Sequence, residues 1–160
     1  MHAGAGELAV ADRLEIRELI DRYNDAVNHQ NWKNLRELFV HDAVWEVAPP
    51  IGLRFEGSQK IADGVEWSVG RQEVLVQSSS AIVIEVHADG HVTVRSTLVQ
   101  FGRPKETGVG MHATGTFHDE LARENGAWRF KRRTLRVRYM DEIAVPDAIY
   151  EGRDSPAADH

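Results

Sequence analysis

The second half of the chain is the strongest constraint on its fold. After Arg71 it reads as four long extended segments: EVLVQSSSAIVIEV, a turn at HADG, HVTVRSTLVQF, a loop at GRPKETG, VGMHATGTFHDELA, a turn at RENG, and AWRFKRRTLRVRYM. Each is rich in β-branched and aromatic residues and is bounded by turn formers, the pattern of strands in succession. Strands of about ten residues joined by such short turns form an antiparallel meander, and four of them can curve into a cone. The fold class that follows is α+β, because the residues before the meander read as helices that can close the mouth of the cone.

From Asp12, the apolar residues Ile16, Leu19, Ile20, Tyr23 and Val27 recur every three or four positions. That spacing predicts a helix with one buried face, capped by Asp12 and running to about His29. Asn31 is placed to cap a second, short helix with Trp32, Leu35, Leu38 and Phe39 on its apolar side, ending near VHD. Pro49 and Pro50 exclude a continuous helix or a central strand, so AVWEVAPPIGLRFEG is expected to form a hairpin or bend. Ser58 can cap a third helix, SQKIADGVEWSVG, which Gly64 weakens by about 1 kcal/mol relative to alanine and could leave mobile over the pocket. The chain is expected to be a single domain over residues 1–160, with its core at about 12–140 and a loosely held tail at about 141–160.

Composition removes several chemistries. Cysteine is absent from the 160 residues, so disulfides, thiolate nucleophiles and cysteine-ligated metals are excluded. No apolar run approaches the length of a membrane span and the N-terminus lacks the pattern of a secretory signal, so a soluble, cytoplasmic protein is expected. The net charge of −6 opposes nucleic-acid binding except at WRFKRRTLRVRY, residues 128–139, which is either a polyanion strip or a strand whose arginines pair with acids such as Asp119, Glu120, Asp141 and Glu142. Glycine-rich phosphate loops and nucleophile elbows are missing. His87 and His91 flank a turn with Asp89 between them, but a metal site would need more ligands than this stretch supplies.

Strand parity sorts the remaining candidates. If Gly115 and Phe117 face inward, Met111, Ala113 and Asp119 share that side and His112 looks away; with the parity reversed, His112 becomes a possible general base. On the last strand Arg133 groups with Leu135 and Val137. An arginine sharing a face with apolar residues is the one expected inside, either to stabilise developing negative charge or to form an interior salt bridge. Trp45 and Trp67 are candidates for the cavity wall. The polar cluster Tyr23, Asn24, Asn28 and His29 at the end of the first helix faces either water or a pocket.

The stretch IRELIDRYNDAVNHQNWKNLRELFVHDAVWEV, followed later by GTFHDELARENGAWRFKRRTLRVRY, resembles the SnoaL-like branch of the nuclear-transport-factor-2-like superfamily. That group includes scytalone dehydratase, bile-acid dehydratase, lindane dehydrochlorinase and polyketide cyclases. The resemblance implies a cone-shaped α+β barrel with N-terminal helices on a curved sheet, cofactor-independent acid–base chemistry in its cavity, and a homotrimer or homodimer. In the eliminating relatives an aspartate at the end of the first helix orients a histidine on the first long strand, and an arginine on the last strand helps the departing group. Here the arginine position matches Arg133 and an aromatic hydroxyl matches Tyr23. The aspartate position holds Asn28, and the histidine position falls at Val76, or at Gln77 with a shift of one.

The resulting expectation is a lyase or isomerase without cofactor or metal, acting on a hydrophobic, aromatic or phenolic small molecule. Tyr23, Asn28 and Arg133 are its catalytic candidates; Trp45, Trp67, Val76, Phe117 and Leu135 are its substrate-binding walls. No nucleic-acid or membrane partner is expected. Loss of both members of the dyad leaves open a non-catalytic small-molecule-binding or accessory protein, and a third reading is a relative of the small β chain of ring-hydroxylating dioxygenases.

Overall fold

The computed structural model describes residues 7–104 and 109–144. Helix α1 (Val10–Asn28) buries Ile16, Leu19, Ile20, Tyr23 and Val27, the face its spacing predicts. It begins earlier than Asp12: Ala9 holds the cap position without a side-chain hydrogen bond. Asp12 instead accepts the Trp128 indole N–H at 3.0 Å and pairs with Arg123. Helix α2 (Trp32–Glu37) does start at Asn31, whose Oδ1 accepts from Asn34 N at 3.2 Å. Phe39 is not part of this helix; it opens strand β1 (Phe39–Val47).

Strand β1 and strand β2 (Leu53–Glu56) form an antiparallel hairpin across Pro49 and Pro50, with Val47 opposite Leu53. Helix α3 (Ser58–Val69) follows, with Gly57 rather than Ser58 at its cap, at φ 88°. Gly64 has a packing role: a Cβ there would lie 2.5 Å from the Phe55 ring, so the glycine allows α3 to approach β2. The meander is β3 (Gln72–Val86), β4 (Val92–Pro104), β5 (Val109–Glu124) and β6 (Ala127–Ala144). Asp141 to Ala144 therefore continue β6 where the sequence suggests a tail, and residues 145–160 of that expected tail lie outside the described residues.

All six strands belong to one curved, open sheet in the order β2-β1-β6-β5-β4-β3, antiparallel except where β1 runs parallel to β6. The parallel contact sets Trp45 beside Arg133 and Phe39 beside Phe130. Register shifts mark where the sheet bends, between Ser80 and Val83 on β3, with Ala81 at φ 50°, and between Thr114 and Gly115 on β5. An extra residue in one strand increases local twist and re-aims the side chains beyond it.

Helix α1 lies across the concave face and is tied at both ends. Near its start Glu15 accepts the Trp128 backbone N–H at 2.9 Å. At its end Asn28 exchanges two hydrogen bonds with the Gln77 backbone, donating to its carbonyl at 2.9 Å and accepting from its N–H at 2.8 Å. The space left between α1, α3 and the sheet is where the buried aromatic and polar groups converge.

Candidate active site

Three neighbouring strands supply one rung of the site. Trp45 on β1 pairs with Arg133 on β6, which pairs with Asp119 on β5. Inward alternation along each strand brings all three to the concave face, where Tyr23 descends from α1. Arg133 is 0% exposed and Asp119 2% exposed, and Arg133 Nη1 donates to Asp119 Oδ2 at 2.9 Å. The guanidinium carbon sits 3.7 Å from the Phe117 ring centroid, 4.1 Å from Tyr23 and 4.4 Å from Phe130. Such contacts strengthen when desolvated, because no water competes for the cation. Among the described residues Arg133 Nε and Nη2 and Asp119 Oδ1 have no hydrogen-bond partner.

Burial governs the titration of this cluster. It pushes the Asp119 carboxyl up to about 7, against the opposing pull of Arg133. Tyr23 is also raised, first by burial, with the nearby Arg133 charge and the Trp45 hydrogen bond acting the other way. The phenol is thus held neutral near physiological pH. Its oxygen accepts the Trp45 indole N–H at 3.0 Å. The hydroxyl hydrogen remains available to a further acceptor.

A cavity of about 180 Å³ opens in front of this cluster. Its wall includes Tyr23, Trp45, Phe117 and Leu135, as the sequence suggests, together with Leu98 and Met111. Arg133 and Asp119 are absent from the wall; they lie behind it, screened by the aromatic rings. Among the described residues Tyr23 is the only ionisable side chain lining this cavity. Thr114 and Ser68 also line it, but their hydroxyls donate to Leu98 O at 2.9 Å and Gly64 O at 2.8 Å. A groove of about 500 Å³ lies outside, lined by charged residues such as Glu15, Glu18, Arg22 and Arg129. It is larger, but its walls are solvated surface, with Arg22 bonded to Glu18 at 3.0 Å.

Several expected site residues lie elsewhere. Val76 is 56% exposed and Trp67 65% exposed, so neither forms the cavity wall. The reason for Val76 is the irregularity at Ala81: Ile82, Ile84 and Val86 pack toward the core, but beyond it the inward residues are Ser79, Gln77 and Leu75. Trp67 falls on the solvent side of α3, opposite Ile61, Ala62 and Val65. Asn28 does not reach the cavity, since its amide is engaged with the Gln77 backbone. His112 is exposed, which removes it as an internal base. Sequence reasoning named Gln77, whose Nε2 donates to Asn24 Oδ1 at 3.2 Å, only as the shifted alternative to Val76, and did not single out Gln100 opposite it on β4. Both line the cavity. The shift-of-one alternative at Val76 was the available signal for the first; the second had none.

His87 and His91 stack with ring centroids 3.9 Å apart, and His91 bonds to Asp89. Among the described residues no group of three or more histidines or carboxylates is arranged to hold a metal ion. Within the basic strand, Arg132 bonds to Glu46 at 2.9 Å and Arg133 to Asp119. No described helix is long and apolar enough to cross a membrane.

A curved sheet with helices across its concave face and an apolar pocket between them defines an α+β cone protein of the nuclear-transport-factor-2-like type. The family model for the SnoaL-like domain matches residues 9–134, and the chain belongs to that family. Among solved structures, a candidate scytalone dehydratase from Novosphingobium aromaticivorans matches with TM-score 0.74 and 22% identity over 89% of this chain and 97% of its own. The hexachlorocyclohexane dehydrochlorinase LinA type 3 from Novosphingobium barchaimii matches with TM-score 0.75 and 19% identity over 89% and 97%. A protein of cystatin-like fold and unknown function from Nostoc punctiforme matches with TM-score 0.66 and 22% identity over 82% and 94%. At these identities the likeness establishes the fold. No curated protein matches the sequence.

Proposed function

We propose that the protein is a cofactor-independent lyase or isomerase acting on a hydrophobic, aromatic or phenolic small molecule, with Tyr23 as its acid–base group. The observation that carries this is a neutral phenol, the only ionisable group on the described cavity wall, whose oxygen already accepts from Trp45 and whose hydrogen is free. In a dehydration, the Tyr23 hydrogen passes to the departing hydroxyl as the carbon–oxygen bond breaks and water leaves. The phenolate then takes the proton that the substrate gives up, which restores Tyr23 and balances the loss of water. The Arg133 cation, 4.1 Å from the ring, favours that transient phenolate in a medium where charges interact strongly. A substrate whose own phenol assists departure of the leaving group needs least from such a site. Asn28 acts here by holding β3 and Gln77 in place; Trp45, Phe117 and Leu135 form the apolar walls. The names of two fold neighbours, a candidate dehydratase and a dehydrochlorinase, support elimination chemistry as the class.

The test is turnover. Purified protein is incubated with a panel of neutral phenolic and polyketide-like compounds and followed by mass spectrometry. A product lighter by one small neutral molecule identifies a lyase, and an unchanged mass with altered retention identifies an isomerase. Tyr23→Phe is expected to lower turnover by about 10²–10⁴-fold, the usual worth of a positioned acid–base group; undiminished turnover would end the assignment.

A second reading, a small-molecule-binding protein, is favoured by one observation. The family's aspartate position holds Asn28 and its histidine position Val76 or Gln77, and no imidazole or carboxylate faces the described cavity. Saturable binding without conversion of any bound compound would favour it. Assembly as a homotrimer or homodimer is proposed from the family resemblance alone and is open to light scattering.

A further inference from the structure

The polar groups on the cavity wall can be counted, and most are already engaged. Trp45 donates to Tyr23, Thr114 to Leu98 and Ser68 to Gly64. What remains unclaimed among the described residues is the Tyr23 hydroxyl hydrogen at one end and, at the other, the Gln77 amide oxygen and the Gln100 amide. Those two glutamines are direct cross-strand partners on β3 and β4, so their side chains leave the sheet together on its concave face. Gln77 Nε2 is held by Asn24, whose Oδ1 also accepts from Ser79 at 3.3 Å, and Gln77 Oε1 accepts no hydrogen bond among the described residues. Gln100 makes no side-chain hydrogen bond among the described residues. Together they offer two acceptors and the Gln100 N–H donors to whatever enters the cavity.

The two stations stand on different rungs of the sheet. Gln100 is opposite Ala113, whereas the Tyr23 ring packs on Phe117, its centroid 5.8 Å away. Four residues of strand separate those rungs by roughly 13 Å at about 3.3 Å per residue, less the reach of the two side chains. A cavity of about 180 Å³ only modestly exceeds the about 150 Å³ that suffices for benzene. It therefore takes one ring and a short chain rather than a fused polycycle. No charged group lines the described wall, and the Arg133 cation behind it is already paired with Asp119, so an anion or cation entering the cavity would lose its hydration without a free counter-charge.

We infer that the ligand is an uncharged, elongated, single-ring aromatic molecule with an oxygen function at each end, the departing hydroxyl bound by the Tyr23 hydroxyl and the phenol by the Gln77–Gln100 amide pair. This deepens the proposed function and rests on the same cavity, but it requires binding and not turnover.

Calorimetry at pH 7 with three probes tests it: 4-hydroxycinnamyl alcohol, which has both oxygens; cinnamyl alcohol, which lacks the phenol; and 4-hydroxycinnamate, which is an anion. The wild-type protein is expected to bind the first about fivefold more tightly than the second, the worth of one neutral hydrogen bond, and the third at least about 100-fold more weakly than the first. Gln100→Leu is expected to abolish the difference between the two alcohols while leaving the Kd for cinnamyl alcohol within about twofold, which also shows that the variant is folded. The inference is overturned if the carboxylate binds as well as the alcohols, if neither alcohol binds, or if the difference between the alcohols survives in Gln100→Leu. Its failure is separable from that of the proposed function. Tyr23-dependent turnover of some other compound, with the alcohol result negative, removes only the two-station ligand; the expected binding pattern with no turnover of any bound compound removes only the enzyme.

Discussion

The buried Arg133–Asp119 pair should respond very differently to loss of one partner than to loss of the other. Arg133 is fully buried, its guanidinium donates to Asp119, and the faces of Tyr23, Phe117 and Phe130 pack against it. Asp119→Leu leaves a guanidinium that cannot lose its proton, enclosed by hydrocarbon, and should cost about 3–5 kcal/mol. For a chain of this size that corresponds to a Tm lower by on the order of 10 °C. Arg133→Met strands a carboxyl instead, and a carboxyl can escape by taking up a proton. Burial already pushes Asp119 up to about 7 with the arginine present; without it the value rises further. A group whose folded pKa is raised contributes stability that is complete below its unfolded pKa and lost as pH rises through the folded one. Arg133→Met should therefore cost only about 1–3 kcal/mol at pH 6, the penalty of an unmet polar group. Its cost relative to the wild type should then increase by about 1.4 kcal/mol per pH unit above about 7, where the wild-type carboxyl ionises, and level off once the pH passes the carboxyl's new pKa. The double variant Asp119→Leu/Arg133→Met should recover to within about 1 kcal/mol of the wild type, because it leaves no buried charge. Urea unfolding at pH 6 and pH 8.5, followed by tryptophan fluorescence, measures all four proteins. Equal costs for the two single variants at both pH values, or a double variant at least as destabilised as the sum, would refute the reasoning.

Other consequences are local. Asn28→Asp should destabilise by about 1–2 kcal/mol, because a carboxylate can accept the Gln77 N–H but sets an anion against the Gln77 carbonyl; chemical denaturation gives the number. Gly64→Ala should destabilise by about 1–3 kcal/mol despite its better helix propensity, since the added Cβ meets the Phe55 ring at 2.5 Å. Phe55 stacks on Trp45 at 5.7 Å, so a shifted tryptophan emission maximum should accompany it. The Glu46 carboxylate is held below its ordinary range: burial opposes the charge, but hydrogen bonds from Thr134 and Arg132 and the Arg132 charge outweigh it. Its contribution is present above the unfolded pKa and fades as acid carries it through the folded one, so Glu46→Gln should narrow the stability gap to wild type as the pH falls below about 4.

Much of the architecture was legible because it depends on local pattern. Four alternating segments with short turns leave an antiparallel meander as the natural pairing, and the spacing of Ile16, Leu19, Ile20, Tyr23 and Val27 selects the face of α1 that covers it. Parity grouped Phe117 with Asp119 on one strand and Arg133 with Leu135 on the next, and left open which face of each strand turned inward. These conclusions need only the period of the backbone and the apolarity of the side chains. The parallel contact of β1 with β6 was not legible, because nothing local distinguishes it from other placements of a hairpin. Nor was the exchange of Gln77 for Val76 on the cavity wall. The alternation of Ile82, Ile84 and Val86 carried backward points to Val76, and the extra residue at Ala81 reverses that parity without changing composition. Whether Arg133 faced a substrate or a carboxylate was likewise decided by cross-strand register, which sets Asp119 directly beside it. Side-chain types and local spacing determined which groups were available to the interior; the registers and bulges of the assembled sheet decided which of them meet, because those depend on contacts between residues far apart in the chain.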